Sequence, residues 1–393
     1  MPRERDALIT GIGLVSCLGE GLEAHRAALA DFTPVVDADS FAPFPVHPIV
    51  SLGLDRQIPK RGDQRQMEPW QRIGTYAAGL ALESAAVKGD ASLLARMDMI
   101  VAAGGGERDP AVDTAILSAL PAAPEPDALL NERLMTELRP TLFLAQLSNL
   151  LAGNISIVHG VVGSSRSFMG EEQAGADAVR IACARIAAGQ GELFLVGGSC
   201  NAQRPELLLQ YAMGQTLWAA PFAPVWARLR DGGGMIFGSL GCFLVIESRL
   251  HAERRGAPAL ASIAAIGTDR CRRRPGEAAA NAARQLEAMR GLLDPTHAAV
   301  ISAASGAMPA TAEERGFLDG VALPVRTVAT ALGHSLEPSF PAAIALAAMA
   351  VGDGHLFPPL ESAEAPMAGP LRQALVTGWG HRRGEALALV TAA

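Results

Sequence analysis

Three features of the chain predict an α/β fold built from two similar halves. Short apolar runs alternate with longer alanine-rich segments whose apolar residues recur every three or four positions, the pattern of buried strands exchanging with helices. The count and rhythm of these elements up to about residue 250 return in the remainder of the chain. Hydrophobic residues make up 49% and charged residues 19% of the 393, which suits a large buried core and not a disordered chain.

In chain order, the run ALITGIGLVS at 7–16 reads as the first strand, and 70–88 as a helix. Strands follow at 99–103 and 165–169, then a helix over 173–188 and strands at 192–197 and 242–247. The second half repeats this with strands at 259–266, 298–303, 325–329, 373–377 and 387–390, and helices at 277–293 and 340–351. Continuous apolar strands separated by helices imply buried, mainly parallel sheets. Proline-rich stretches at 41–48, 121–126 and 358–366 read as surface connections. No Pro/Ser-rich linker separates the halves, which are expected to form one body divided into residues 1–250 and 251–393.

Composition narrows the function. A net charge of −7 gives no reason to expect a nucleic-acid partner. Lys60 and Lys88 are the only lysines and neither sits in a motif, which argues against Schiff-base chemistry. The five cysteines are scattered without CxxC spacing and imply neither a disulfide framework nor a zinc site, so no metal is expected. The N-terminal residues carry no signal-peptide pattern, and no apolar run reaches the ~18–20 residues a bilayer span needs. A cytoplasmic protein is the expectation. GGGE at 104–107 and DGGG at 231–234 lack the Lys-Ser/Thr of a phosphate loop, and no G-x-S-x-G turn supports a serine triad.

Residues 151–199 carry the chemistry. A glycine-rich approach leads to a short strand, a sharp turn, a helix and a buried strand ending in Gly-Gly. Such a turn places one side chain at a helix N-terminus, where unpaired N–H groups and the dipole favour an anion. A cysteine there would become a good nucleophile. This chain has the pair Glu171-Glu172. Cys183 falls on an apolar helix face and reads as core, while Cys200 follows a strand end and is not at the activating turn.

Seven segments in order resemble the β-ketoacyl-acyl-carrier-protein synthase family, the thiolase-like condensing enzymes. ALITGIGLVSCLG resembles the opening "VTGxGxxSPxG", DQRQMEPWQRIGTYAAGLAL the "R-M-D…A" helix, and LAGNISIVHGVVGSSRSF the approach to the nucleophile. ELFLVGGS is similar to the strand ending "AGG", and residues 233–267 to "GxGAGxLVLExxxxAxxRGAxxxAxxxG". LGHSLEPSFPAA resembles the "TGHxxGAAG" region and TGWGHRRG the "FGFGGTN" turn. The resemblance implies two halves in a layered αβαβα arrangement and, for active members, decarboxylative condensation by a cysteine, two histidines and a lysine. It further implies no bound cofactor, with substrate arriving on the phosphopantetheine arm of an acyl carrier protein.

Carried over position by position, Gly160, Gly163 and Gly175 place the nucleophile at Glu172. This glutamate is either a favourable helix N-terminal charge or a mimic of the acyl-enzyme. Gly306 puts the first histidine position at Ser305, a weaker donor or simply a turn residue. The second histidine is retained as His334, catalytic or a packed remnant, and the lysine position is Ala329. Trp379 in the last glycine turn restricts the acyl pocket or belongs to the core. Arg61, Arg65, Arg270, Arg272, Arg273 and Arg274 would meet an acidic carrier protein or are solvated loop charges.

With cysteine, one histidine and lysine replaced, the chain resembles the chain-length-factor-like members. These are non-catalytic partners that complete a heterodimer with an active ketosynthase and shape the acyl pocket in type II polyketide, aryl-polyene or fatty-acid-like biosynthesis. Two other readings stand beside this one. The first is a malonyl-carrier-protein decarboxylase with Glu172 in the cysteine's place; the second is a homodimeric carrier-protein-binding module.

Overall fold

The computed structural model describes residues 4–393, Leu144 and Ala145 by backbone alone. Among the described residues one mixed sheet has eleven strands, the two-residue Gly19–Glu20 pairing back on the first, and ten that form its main path: β1 Ala7–Ser16, β2 Asp98–Ala102, β3 Ser165–Phe168, β4 Leu193–Cys200, β5 Leu240–Ser248, β6 Ala261–Asp269, β7 Ala298–Ser302, β8 Val325–Thr327, β9 Gln373–Trp379 and β10 Glu385–Thr391. Their spatial order is 8-7-9-10-6-1-5-4-2-3. Read outward from the middle, β1-β5-β4-β2-β3 and β6-β10-β9-β7-β8 are the same arrangement twice, each with two antiparallel pairs followed by two parallel ones. The two fives meet through a short antiparallel contact, Ala7–Ile9 against Ala261–Ile263.

The expectation of mainly parallel sheets is corrected by this topology: the pairs at the middle of the sheet are antiparallel. Strands β1, β4 and β5 are buried along their whole length. Burial on both faces removes the alternation that normally marks an antiparallel strand, so these segments read like parallel ones. The expected strand 325–329 also ends early. Thr327 pairs with Ser302 at the end of β7, and Val328–Leu332 turns into a short helix.

Helices lie in three layers. Pro69–Ser84 (α1) opens with Pro at its first turn and a reciprocal Glu68/Gln71 capping box, and packs on β1, β4 and β5 together with Leu150–His159 (α2). Contact with β1 is backbone to backbone: a Cβ on Gly13 would stand 1.9 Å from the Ala77 carbonyl oxygen. Glu277–Met289 (α4) and Ala310–Val321 (α5) cover the other half. Between the halves lie Glu172–Ala187 (α3) and Ser339–Asp353 (α6), which pack against each other and against strands of both. Every residue of α6 from Ser339 to Val351 is buried, as expected of a helix enclosed on all sides. This central layer holds the largest apolar cluster, and it points the first turn of α3 at the loops that follow β8 and β9.

Candidate functional site

The turn between β3 and α3 is the centre of the site. Gly170 and Glu171 both have positive φ (140° and 58°), an uncommon conformation for the glutamate that costs on the order of 1–3 kcal/mol. The turn lets Glu172 start the helix and drives its side chain inward. Close packing fixes the depth of the helix end, since a Cβ on Gly175 would lie 2.0 Å from the Glu337 carbonyl oxygen. The glycine that anchored the sequence reading therefore holds α3 against the loop bearing His334.

His334 follows the helix Val328–Leu332 and is fully buried. Its Nε2 lies 2.9 Å from Glu172 Oε1. His381, in the tight turn joining β9 to β10, brings two more donors to the same oxygen: Nδ1 at 3.0 Å and the backbone N–H at 3.2 Å. A carboxylate only accepts hydrogen bonds, so both imidazoles donate to it. Burial alone would raise the Glu172 pKa, but hydrogen bonds from His334 and His381 and their charges hold it well below the carboxylate range. Burial lowers His381, and its bond to Glu172 more than restores it, leaving its pKa raised. The result is a closed, charge-assisted cluster with a carboxylate oxygen in a cradle of three donors.

In front of this cluster opens a cavity of about 830 Å³, lined in part by Glu171, Tyr211, Cys200, Glu337, Arg382 and Arg383. Tyr211 donates to Glu171 Oε1 at 2.8 Å. Burial, with the charges of Glu172 and Glu171 added, pushes the Glu337 carboxyl up to about 7. Burial also pushes the Cys200 thiol up to about 12, so it is no thiolate at neutral pH. Cys183 is likewise pushed up to about 12.

The remaining positions separate. Ser305 is buried, but its hydroxyl accepts the Ala307 N–H at 3.1 Å within its own turn. Ala329 is buried beside His334 and helps line a void of only about 10 Å³, room for one water and not for a lysine chain. Trp379 packs in the core of the second half at 5.8 Å from Phe317, between ring centres, and is not among the residues lining the large cavity. Among the arginines, Arg273 is spent internally: it pairs with Glu385 and donates to the Gly380 and Gly384 carbonyls, bracing the turn that carries His381. Arg270 pairs with Asp177 and Arg274 with Glu277, while Arg61, Arg65 and Arg272 are exposed.

His381 and Tyr211 were not among the residues expected from the sequence, and Glu171 was singled out only as Glu172's neighbour at the turn. His381 stands where the resembled "FGFGGTN" turn has a glycine, so the departure itself was the available signal.

A profile of the β-ketoacyl synthase N-terminal domain matches residues 53–251. The 3-oxoacyl-[acyl-carrier-protein] synthase 2 of Vibrio cholerae serotype O1 is 22% identical over 275 residues, 67% of this chain and 63% of that protein. The match thus spans somewhat less than two thirds of that relative's length. Two solved structures share the fold over 99% of both chains. One is the ishigamide ketosynthase/chain length factor, at 18% identity and a TM-score of 0.78. The other is a type II PKS acyl-carrier protein in complex with its ketosynthase bound to the hexaketide, at 17% and 0.72. With a family profile over half its length and this fold end to end, the chain belongs to the β-ketoacyl synthase family and has its thiolase-like fold.

Proposed function

We propose that this chain is the non-catalytic, chain-length-factor-like partner of an active ketosynthase and helps shape the pocket for an acyl chain on a carrier protein. The observation that carries this reading is the Glu172 carboxylate. It stands at the nucleophile position and fills the three-donor cradle of His334 and His381 with the protein's own oxygen. A thioester carbonyl entering the site would have to displace a buried anion that accepts three hydrogen bonds. That same occupancy speaks against a decarboxylase, whose donors must be free to receive the substrate.

The surface supports a partner. Strand β3 is an edge, paired on one side only, and beside it Ile157 and Val162 are 70% and 60% exposed. A groove of about 480 Å³ runs along it, lined by apolar Ala152, Val161 and Val162 and by polar Asn149, Ser156 and Ser165. A bare edge strand flanked by exposed apolar side chains is a template for strand pairing with another subunit. At the cavity mouth, exposed Arg382 and Arg383 suit the phosphate of a phosphopantetheine arm. No helix among the described residues is long and apolar enough to cross a membrane.

The test is co-expression with an intact ketosynthase from the same genome, followed by size-exclusion chromatography with mass determination and a condensation assay. The expected result is a 1:1 complex whose activity collapses without this chain. A stable homodimer that ignores that synthase would overturn the proposal.

A further inference from the structure

His381 is 7% exposed, and its two ring nitrogens face different groups. Nδ1 donates to Glu172 Oε1, whereas the buried Nε2 has no hydrogen-bond partner and lies 3.8 Å from Glu171 Oε1, too far for a hydrogen bond. Glu171 is held in place by its fixed backbone and by Tyr211, which donates to its carboxylate at 2.8 Å. Donor atoms of Glu171, Glu172 and His381 lie within 4.8 Å of one another.

We propose that Glu171 and His381 Nε2 bind a divalent transition-metal ion of the zinc class behind the Glu171 wall of the large cavity, with Glu172 orienting the imidazole from the other side. Two ligand atoms on a tetrahedral zinc stand roughly 3.4 Å apart, for bond lengths near 2.1 Å. The 3.8 Å gap therefore closes with a shift of a few tenths of an ångström. A ligating histidine almost always gives its other N–H to a carboxylate or carbonyl, which fixes the tautomer and turns the lone pair toward the metal. Glu172 does this here. One nitrogen and one carboxylate oxygen, with no thiolate at hand, suit zinc or cobalt rather than a soft ion. Glu171, Arg382 and Arg383 line the cavity, so an anionic group reaching the metal from that side would meet the two arginines. This inference is independent of the partner-subunit reading.

The test uses the full chain freed of metal by a chelator and titrated with zinc chloride in a calorimeter, with cobalt(II) as an optical probe. One equivalent should bind to the wild type, and affinity should fall at least tenfold in both Glu171→Gln and His381→Gln. Cobalt should show a visible band with wild type that both variants lose. Weak surface binding, as at His297 with Asp294, is common to all three proteins and cancels in the comparison. Equal binding by wild type and variants, or no binding by the wild type beyond that background, would overturn the site. Circular dichroism checks folding. If His381→Gln unfolds, the near-isosteric Glu171→Gln decides alone.

Discussion

Glu172 is a single residue on which two buried imidazoles depend. Replacing it by alanine would leave His334 Nε2 and His381 Nδ1 in the core without an acceptor, on rings whose other nitrogens already lack partners. Breaking a buried pair from one side costs about 3–5 kcal/mol, because the remaining group keeps its desolvation penalty. Glu172→Ala should therefore lower the unfolding free energy by about that amount in guanidinium titrations. A loss below about 1 kcal/mol would show that the cluster is solvated and not a closed unit. Glu172→Cys makes a second test. A thiol at the start of α3 between two imidazoles should be alkylated by iodoacetamide faster than the native cysteines, of which Cys17, Cys183 and Cys200 are all pushed up to about 12. Yet it should not condense, since Ser305 is turned onto Ala307 and Ala329 has no amine. Condensation by this variant alone would overturn the reading that those two positions are spent.

At the scale of elements, a buried carboxyl ties α5 to the sheet. Glu314 accepts hydrogen bonds from Ser302 on β7 and Thr377 on β9, at 2.8 and 2.6 Å. Burial outweighs these bonds and pushes its pKa from 4.5 up to about 7. A group whose pKa is raised by folding contributes stability fully below its unfolded value and loses it as pH rises through the folded one. Stability should therefore fall between about pH 4.5 and 7, by up to about 3 kcal/mol from this residue. Glu314→Gln, which keeps an acceptor and cannot ionise, should flatten that part of the profile. A slope unchanged in the variant would assign the pH dependence to other carboxyls, such as Glu364, which burial also pushes up to about 7.

The same elements show what a sequence can and cannot carry. Strand β1 was legible to the residue because its ten consecutive buried positions hold only apolar and small side chains, with no charge among them. Glu172 and His334 each stand at a short fixed spacing from a glycine that close packing requires, Gly175 three residues after the one and Gly333 immediately before the other. His381 was not legible, because its role arises where a hairpin from one half meets a helix start from the other, 209 residues away. The sequence reading assigns no element to the helices Pro110–Ala119 and Pro126–Glu137. They bury at most one residue each, so they lack the apolar stripe that would have marked them.

For the molecule as a whole, the question is what the edge of the sheet meets. Ile157 on α2 and Val162 in the approach to β3 are exposed and outside the main apolar clusters, so changing them removes little that the isolated chain uses. Surface substitutions of this kind move stability by no more than about 0.5 kcal/mol. If β3 adds to a partner's sheet, however, two charges placed beside it would have to be buried unpaired, at a cost of 2 kcal/mol or more for an interface centre. Ile157→Glu with Val162→Glu should thus leave circular dichroism and denaturant midpoint unchanged while weakening the complex at least thirtyfold. Sedimentation of the variant with that ketosynthase reads this directly. A variant that still assembles with wild-type affinity would place the subunit contact elsewhere. Lost assembly together with lost folding would show instead that these side chains belong to the core.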